Sequence, residues 1–244
     1  MQKKIMLNEA IILAGGFGTR LQSVVSDVPK PMAPVNHEPF LNYLLSYLSH
    51  YGIKKAVLST GHLEEKIRGY YQEKNNTWKN ISLSYSHEAA PLGTGGAIRL
   101  AMEQCKDEYI LAMNGDSFFD ANLEDLFSKH QAADAQHTLA LRKVPNASRY
   151  GAVETNNNRV IQFKEKEDTQ KPGTINGGIY ILKKADYTAI TSPGINFSIE
   201  RDFFEKQLQQ QRIFGFEYEG QFIDIGTPED FTRAQDEFKQ FKYR

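Results

Sequence analysis

The 244-residue sequence contains one cysteine, Cys105. A lone thiol excludes an internal disulfide and a cysteine-built zinc site, and it fits a reducing, cytoplasmic setting. Cys105 itself reads as an inert helix-face residue. No charge of either sign dominates, since 29 Lys and Arg stand against 30 Asp and Glu for a formal net charge of −1. That balance supplies no basic field for nucleic acid or for an anionic membrane, so neither is expected as a partner, and any phosphate binding must come from locally placed cations. Long hydrophobic runs are missing as well. The first apolar run, Ala10 to Ala14, is far too short for a signal-peptide core or a membrane span. The six histidines are scattered without metal-ligand spacing, which argues against a zinc enzyme. No hexapeptide repeat occurs, so no left-handed β-helix domain is expected within residues 1–244.

What is present is ordinary globular composition, 40% hydrophobic and 24% charged, which is read as one domain over 1–244. Glu9 to Leu13 reads as a buried strand ending in Gly15-Gly16. Leu41, Leu44, Leu45 and Leu48 recur at helical spacing and predict a helix over Phe40 to Tyr51, stopped by Gly52. A strand at Lys54 to Ser59, a helix at Glu64 to Gln72, a strand at Ile81 to His87, a helix at Gly95 to Gln104 and a strand at Tyr109 to Met113 continue the alternation. Repeated βα units predict a parallel sheet covered by helices. The second half changes to shorter strands near Leu139–Val144, Gly151–Thr155, Val160–Lys164 and Thr174–Leu182, with a turn or mobile loop at Glu167–Gly173. A charged amphipathic helix with Pro228 in its first turn is expected over Thr227 to Phe241. The expected class is therefore α/β, a Rossmann-like three-layer sandwich with a mainly parallel mixed sheet and a small antiparallel extension.

After the first strand comes Gly15-Gly16-Phe17-Gly18-Thr19-Arg20-Leu21, whose glycines can turn backbone N–H groups toward phosphate oxygens. By itself such a loop is equally a tight turn. It matches neither GxxxxGK[ST] nor GxGxxG, and the absence of the latter disfavours a dinucleotide-dependent oxidoreductase. Arg20 inside the loop and Lys30 in Pro29-Lys30-Pro31-Met32, held extended between two prolines, shift the balance toward phosphate.

LAGGFGTRL followed by PKPM resembles the signature of the sugar nucleotidylyltransferases. Further segments match in order: PLGTGG at 91–96, NGD at 114–116, Tyr150-Gly151, FKEK at 163–166, NGGIY at 176–180 and DIGTP at 224–228. The resemblance spans nearly the whole chain. It implies the nucleotide-diphospho-sugar transferase type of fold and an enzyme that joins a nucleoside triphosphate to a sugar 1-phosphate with Mg²⁺ and releases pyrophosphate. It implies that Leu13, Ala14, Gly15, Gly16, Gly18, Thr19 and Arg20 hold the triphosphate and that Lys30 contacts phosphate at the reacting centre. Asp116 and Asp224, each a capping aspartate when read alone, would hold the metal. Glu165 and Lys166, otherwise a solvated strand edge, become sugar-site residues, with Gly151, Asn176, Gly177 and Gly178 lining the pocket. Tyr180 and Glu200 are weaker candidates for the same wall.

The stretch Glu88 to Gly96, with Glu88, Gly93 and Thr94, lies where relatives hold the base. Guanine presents adjacent N1–H and N2–H donors that one carboxylate can accept together, which favours GTP. The compact chain and SVVSDVPKPMAPVNHEPFL resemble guanylyltransferases acting on D-glycero-α-D-manno-heptose 1-phosphate, enzymes that make GDP-heptose for cell-surface glycans. Mannose 1-phosphate, an N-acetylamino sugar phosphate or uridylyl transfer stay open, as does a homo-oligomer. A noncatalytic nucleotide-sugar sensor is the reading of another class, and the intact set Arg20, Lys30, Asp116, Lys166 and Asp224 argues against it.

Overall fold

Glu9–Leu13 forms β1 at the heart of a ten-stranded mixed sheet, in a computed structural model that describes residues 7–16, 21, 25, 27–164, 171–210 and 212–243. A small hairpin of β2 (Pro34–Val35) and β3 (Glu38–Pro39) leads into α1 (Phe40–His50). Then come β4 (Lys55–Thr60), α2 (Glu64–Gln72), β5 (Thr77–Trp78), β6 (Ile81–His87), α3 (Gly93–Ala101) and β7 (Tyr109–Asn114). Next follow β8 (Ser117–Phe119), α4 (Leu123–Ala132), β9 (His137–Val144), β10 (Ala152–Asn156), β11 (Arg159–Lys164) and β12 (Gly173–Lys183). The chain closes with α5 (Lys184–Ala189), a π-helical turn at Ile199–Phe204, α6 (Glu205–Gln207), β13 (Ile213–Glu217), β14 (Phe222–Asp224) and α7 (Pro228–Glu237).

The sheet order is β10-β11-β13-β9-β12-β7-β1-β4-β6-β5. At its centre β7, β1, β4 and β6 run parallel, as the βα alternation demands. The strands of the second half extend this same sheet: β12 joins β7 antiparallel, β9 follows, and the β10–β11 hairpin forms the edge. Alternate residues of the central strands face opposite layers. Ala10, Ile12, Leu58, Leu111 and Met113 pack with α1, α7 and the terminal aromatics Phe238, Phe241 and Tyr243. Ile11, Val57, Ile110 and Ala112 pack with α3, α5 and the π-helical turn. Each buried Val, Leu, Ile or Met among them stabilises the fold by about 1.5–3 kcal/mol, and burial on both faces explains why these strands read as continuous apolar runs.

Some elements differ from expectation. The helix expected at Gly95–Gln104 begins at Gly93 and tightens into a 3-10 turn at Met102–Gln104. The terminal helix begins at Pro228, with the Thr227 side chain capping it from outside, and Phe238–Gln240 is 3-10. Pro29-Lys30-Pro31-Met32 is extended only at Pro29, and Lys30–Met32 forms one 3-10 turn closed by Met32 N–H to Pro29 C=O at 2.7 Å. Proline's fixed φ suits a helical turn as well as an extended chain, and Pro31 needs no donor there. Of the loop expected at Glu167–Gly173, residues 167–170 lie outside the described residues and Gly173 already opens β12. Among the described residues no helix is long and apolar enough to cross a membrane.

Candidate active site

The carboxyl end of the central strands carries the site, as expected for an open α/β sheet. β1 delivers Leu13, Ala14, Gly15 and Gly16. The Leu13 carbonyl accepts the Gly115 N–H at 3.0 Å, and the Ala14 N–H donates to Ser59 C=O at 2.8 Å, so the start of the glycine loop is pinned between β7 and β4. A Cβ on Gly15 would sit 2.7 Å from a Glu88 carboxylate oxygen and 3.3 Å from the Gly61 backbone N, so a side chain there would displace Glu88, whereas no atom of the described residues lies within 4 Å of a Cβ on Gly16. Gly18, Thr19 and Arg20 lie outside the described residues.

Asp116 follows β7, and Asp224 ends β14, which pairs antiparallel with β8 so that Asp224 faces Ser117. This short ladder and the Ile225 N–H bond to the Asp116 carbonyl at 3.0 Å bring the two aspartates together from distant sequence. Lys30 lies between them, its Nζ 2.6 Å from Asp116 Oδ2 and 3.9 Å from Asp224 Oδ1. The Lys30 and Asp224 side chains are 9% and 16% exposed, while Asp116 is 40% exposed. Burial, and then the negative charge of Asp116, push the Asp224 carboxyl above its ordinary range, against the pull of Lys30 and of the Gly226 N–H, which donates to Oδ1 at 2.7 Å. Two mutually repelling carboxylates, one of them opening to solvent, form a donor set that suits Mg²⁺, which takes one or two carboxylates and completes its shell with phosphate oxygens and water. Among the described residues no group of three or more His, Cys, Asp or Glu offers an all-protein cage. The residues present therefore fit a magnesium ion shared with substrate.

On one side of this centre lies Glu88, just after β6. Its backbone N–H donates to Thr60 C=O at 2.8 Å. Its Oε1 accepts from the Ser59 hydroxyl and its Oε2 from the Leu92 N–H, both at 3.1 Å. Each oxygen keeps further acceptor capacity. Gly93 opens α3 at φ +66°, and the exposed Thr94 uses its hydroxyl to accept the Ile199 N–H at 3.0 Å.

On the other side a cleft of about 100 Å³, open to solvent, is lined by residues that include Tyr150, Gly151, Phe163, Asn176, Glu200 and Arg201. A break in the β9–β12 register between Asn176 and Tyr180 turns Asn176 into it. Asn176 Nδ2 donates to Tyr180 Oη at 2.7 Å and to Glu200 Oε1, and Asn176 Oδ1 accepts the Gly178 N–H at 3.0 Å. Tyr180 is 1% exposed and its phenol is pushed up by burial and the nearby Glu200, so it reaches the cleft only through Asn176. Gly177 is buried, and a Cβ there would meet the Phe119 ring at 2.3 Å, which makes it a packing position. Glu165 and Lys166 lie outside the described residues. Sequence reasoning passed over Ser59, Arg201, Arg149 and Asp230. Only Asp230 carried a local signal, because Thr227-Pro228-Glu229-Asp230 has the spacing of a capping box.

The family described as nucleotidyl transferase matches residues 9–240. A D-glycero-alpha-D-manno-heptose 1-phosphate guanylyltransferase of Aneurinibacillus thermoaerophilus is 45% identical over 96% of this chain and 99% of its own length. A protein of the same description from Campylobacter jejuni is 40% identical over 91% of this chain and 96% of its own. The crystal structure of HddC from Yersinia pseudotuberculosis complexed with GMP-PN superposes with a TM-score of 0.83 at 33% identity, covering 95% of this chain and all of that one. With its family signature running through β1 to α7, near full-length similarity to these relatives and a fold shared with HddC, the chain belongs to the nucleotidyl transferase family.

Proposed function

We propose that the protein transfers the guanylyl group of GTP to D-glycero-α-D-manno-heptose 1-phosphate, giving GDP-heptose and pyrophosphate. The observation that carries this reading is near full-length similarity, at 45% and 40% identity, to two relatives bearing that activity in their names. The compatible chemistry of Glu88 toward guanine and a structural relative complexed with GMP-PN support it.

The sugar phosphate is already anionic at neutral pH, so an oxygen of it attacks the α-phosphorus without a general base. The new P–O bond forms as the bond to the β-phosphate oxygen breaks, and the electron pair leaves with pyrophosphate. Two anionic reactants must be held in line and their charge neutralised, which makes positioning and electrostatics the whole of the catalysis. Lys30 brings a buried ammonium to the centre, and in exchanging Asp116 for phosphate it would bind the reacting groups. The backbone at Gly15 and Gly16, together with Gly18, Thr19 and Arg20, would receive the triphosphate. Asp116 and Asp224 would hold Mg²⁺, which when bound supplies further charge neutralisation at the phosphates. Glu88, braced by Ser59 and Leu92, would offer its remaining lone pairs to guanine N1–H and N2–H. Gly151, Asn176, Gly178 and Glu200 would form the sugar wall with Glu165 and Lys166, and Gly93 and Thr94 the rim of the base site. A single nucleotidylyltransferase domain acting in the cytoplasm is consistent with the reaction.

A matrix of nucleoside triphosphates against sugar 1-phosphates with Mg²⁺, read by pyrophosphate release, tests the reading. GTP with the heptose phosphate is expected to give the highest kcat/KM. Release from no pair would overturn the enzyme assignment, and a higher kcat/KM with mannose 1-phosphate or with UTP would overturn the substrate pair.

A further inference from the structure

Asp230, in the first turn of α7, is a carboxylate only 6% exposed, yet it is surrounded by donors. Its Oδ2 meets Arg149 Nη1 at 2.7 Å and accepts the Thr227 hydroxyl at 2.9 Å, while Oδ1 meets Arg233 Nη2 at 3.1 Å. Burying such a group costs much of what its ion pairs return, so a pairing of this kind does more for geometry than for net stability. Through Oδ2 alone the carboxylate touches two different walls of the site, Arg149 on one and Thr227 on the other. Arg149 directly precedes Tyr150 and Gly151 of the sugar cleft, its guanidinium lies over the Tyr150 ring at 5.4 Å, and that ring packs edge-on against Phe222 of β14 at 5.6 Å. Thr227 ends the turn that begins at Asp224, whose own carboxylate is aimed by the Gly226 N–H.

We propose that Arg149 is a positioning residue: its ion pair with Asp230 locks the Tyr150–Gly151 wall of the sugar cleft to the turn that aims Asp224. The two walls belong to segments far apart in sequence, and the reaction needs the sugar phosphate and the Asp224 carboxylate at one fixed separation. A planar guanidinium with several donors can reach the carboxylate and cover the aromatic ring at once, which a lysine cannot do in the same geometry.

The kinetic arm of the test rests on the proposed function, and the exchange arm does not. Arg149→Ala leaves Asp230 paired with Arg233 and Thr227, so the buried carboxylate is not orphaned. Hydrogen exchange is expected to speed up in both segments, 146–152 and 222–228; faster exchange in the first alone would overturn the coupling. In turnover with GTP, the KM for sugar phosphate is expected to rise about tenfold, with the KM for GTP within about twofold of wild type. Arg149→Lys is expected to recover part of the loss. An unchanged sugar KM, or an equal rise in both KM values, would overturn the positioning role. A wild-type enzyme inactive with GTP would instead overturn the proposed function, and the exchange measurement would still decide the clamp.

Discussion

At the scale of single residues, Glu88 and His137 show how much a side chain's partners constrain what it does. Glu88 accepts from Ser59 and Leu92. In Glu88→Gln the amide oxygen can still accept the Leu92 N–H while its NH₂ donates to the Ser59 oxygen, so both internal bonds survive. What changes is the loss of acceptor capacity toward the base. We therefore expect Glu88→Gln to keep wild-type thermal stability and to lower kcat/KM for GTP by roughly tenfold or more, since a buried donor left unpaired costs about 1–3 kcal/mol. Unchanged preference for GTP over UTP would sink the assignment. His137 is wholly buried among Tyr187, Phe203 and Phe204, and neither ring nitrogen has a hydrogen-bond partner among the described residues. Replacing it with Phe removes a desolvated polar group in a similar shape. Urea unfolding at pH 7 should show stability equal to wild type or about 1 kcal/mol higher, and a clear loss would contradict this account of the site.

At the scale of elements, the strand that carries Asn176 depends on a glycine. Gly178 sits at φ +74°, and a Cβ there would lie 2.6 Å from Asn114 Nδ2. Gly178→Ala should cost about 1–3 kcal/mol through the left-handed backbone alone, seen as a fall in Tm of several degrees, and an unchanged Tm would refute the strain argument. Sequence patterning located the parallel core well. Glu9–Leu13, Glu64–Gln72 and Ile81–His87 fall where their apolar spacing put them, because strands buried on both faces and helices with one apolar stripe each leave a period in the sequence. The strand-like FIDIG run already marked β14, whereas β8 was not legible: three residues long, it has too few positions to show a period, and it exists because it pairs with β14 across the fold. The π-helical turn at Ile199–Phe204 escaped for a similar reason: it is held by Phe203 and Phe204 packing into the core and by the Thr94 hydroxyl, none of which is local.

At the scale of the whole molecule, two buried histidines set the acid limb of stability. Burial pushes His137 down to about 3 and His130 down to about 4, both below the ordinary 6.5. A group whose folded value is depressed contributes stability above its unfolded value and loses it as pH falls. Stability should therefore decline from about pH 6.5 downward as the unfolded chain takes up protons, by up to about 3 kcal/mol per pH unit for the pair between pH 6 and 4. Glu9, held below its usual range by the Lys106 and Asp107 N–H groups and by Lys55 against burial, adds to the same limb below about 4.5. Urea midpoints from pH 7 to 4 check this, and His137→Phe should flatten the slope by about one proton; a flat wild-type profile would contradict it. At this scale the site was half legible. Lys30, Asp116 and Asp224, singled out by family resemblance, do come together in the fold, but Arg149 and Asp230 meet only through tertiary packing and carry no joint signature in the sequence.

Lys30, Asp116 and Asp224 are proposed to form one metal-assisted centre for guanylyl transfer, and Asp224→Ala is the sharpest test of that proposal. Pyrophosphate release from GTP and D-glycero-α-D-manno-heptose 1-phosphate with Mg²⁺ should fall by at least about a hundredfold, with the circular dichroism spectrum of the wild type retained. A folded Asp224→Ala enzyme that turns over at the wild-type rate would contradict the account.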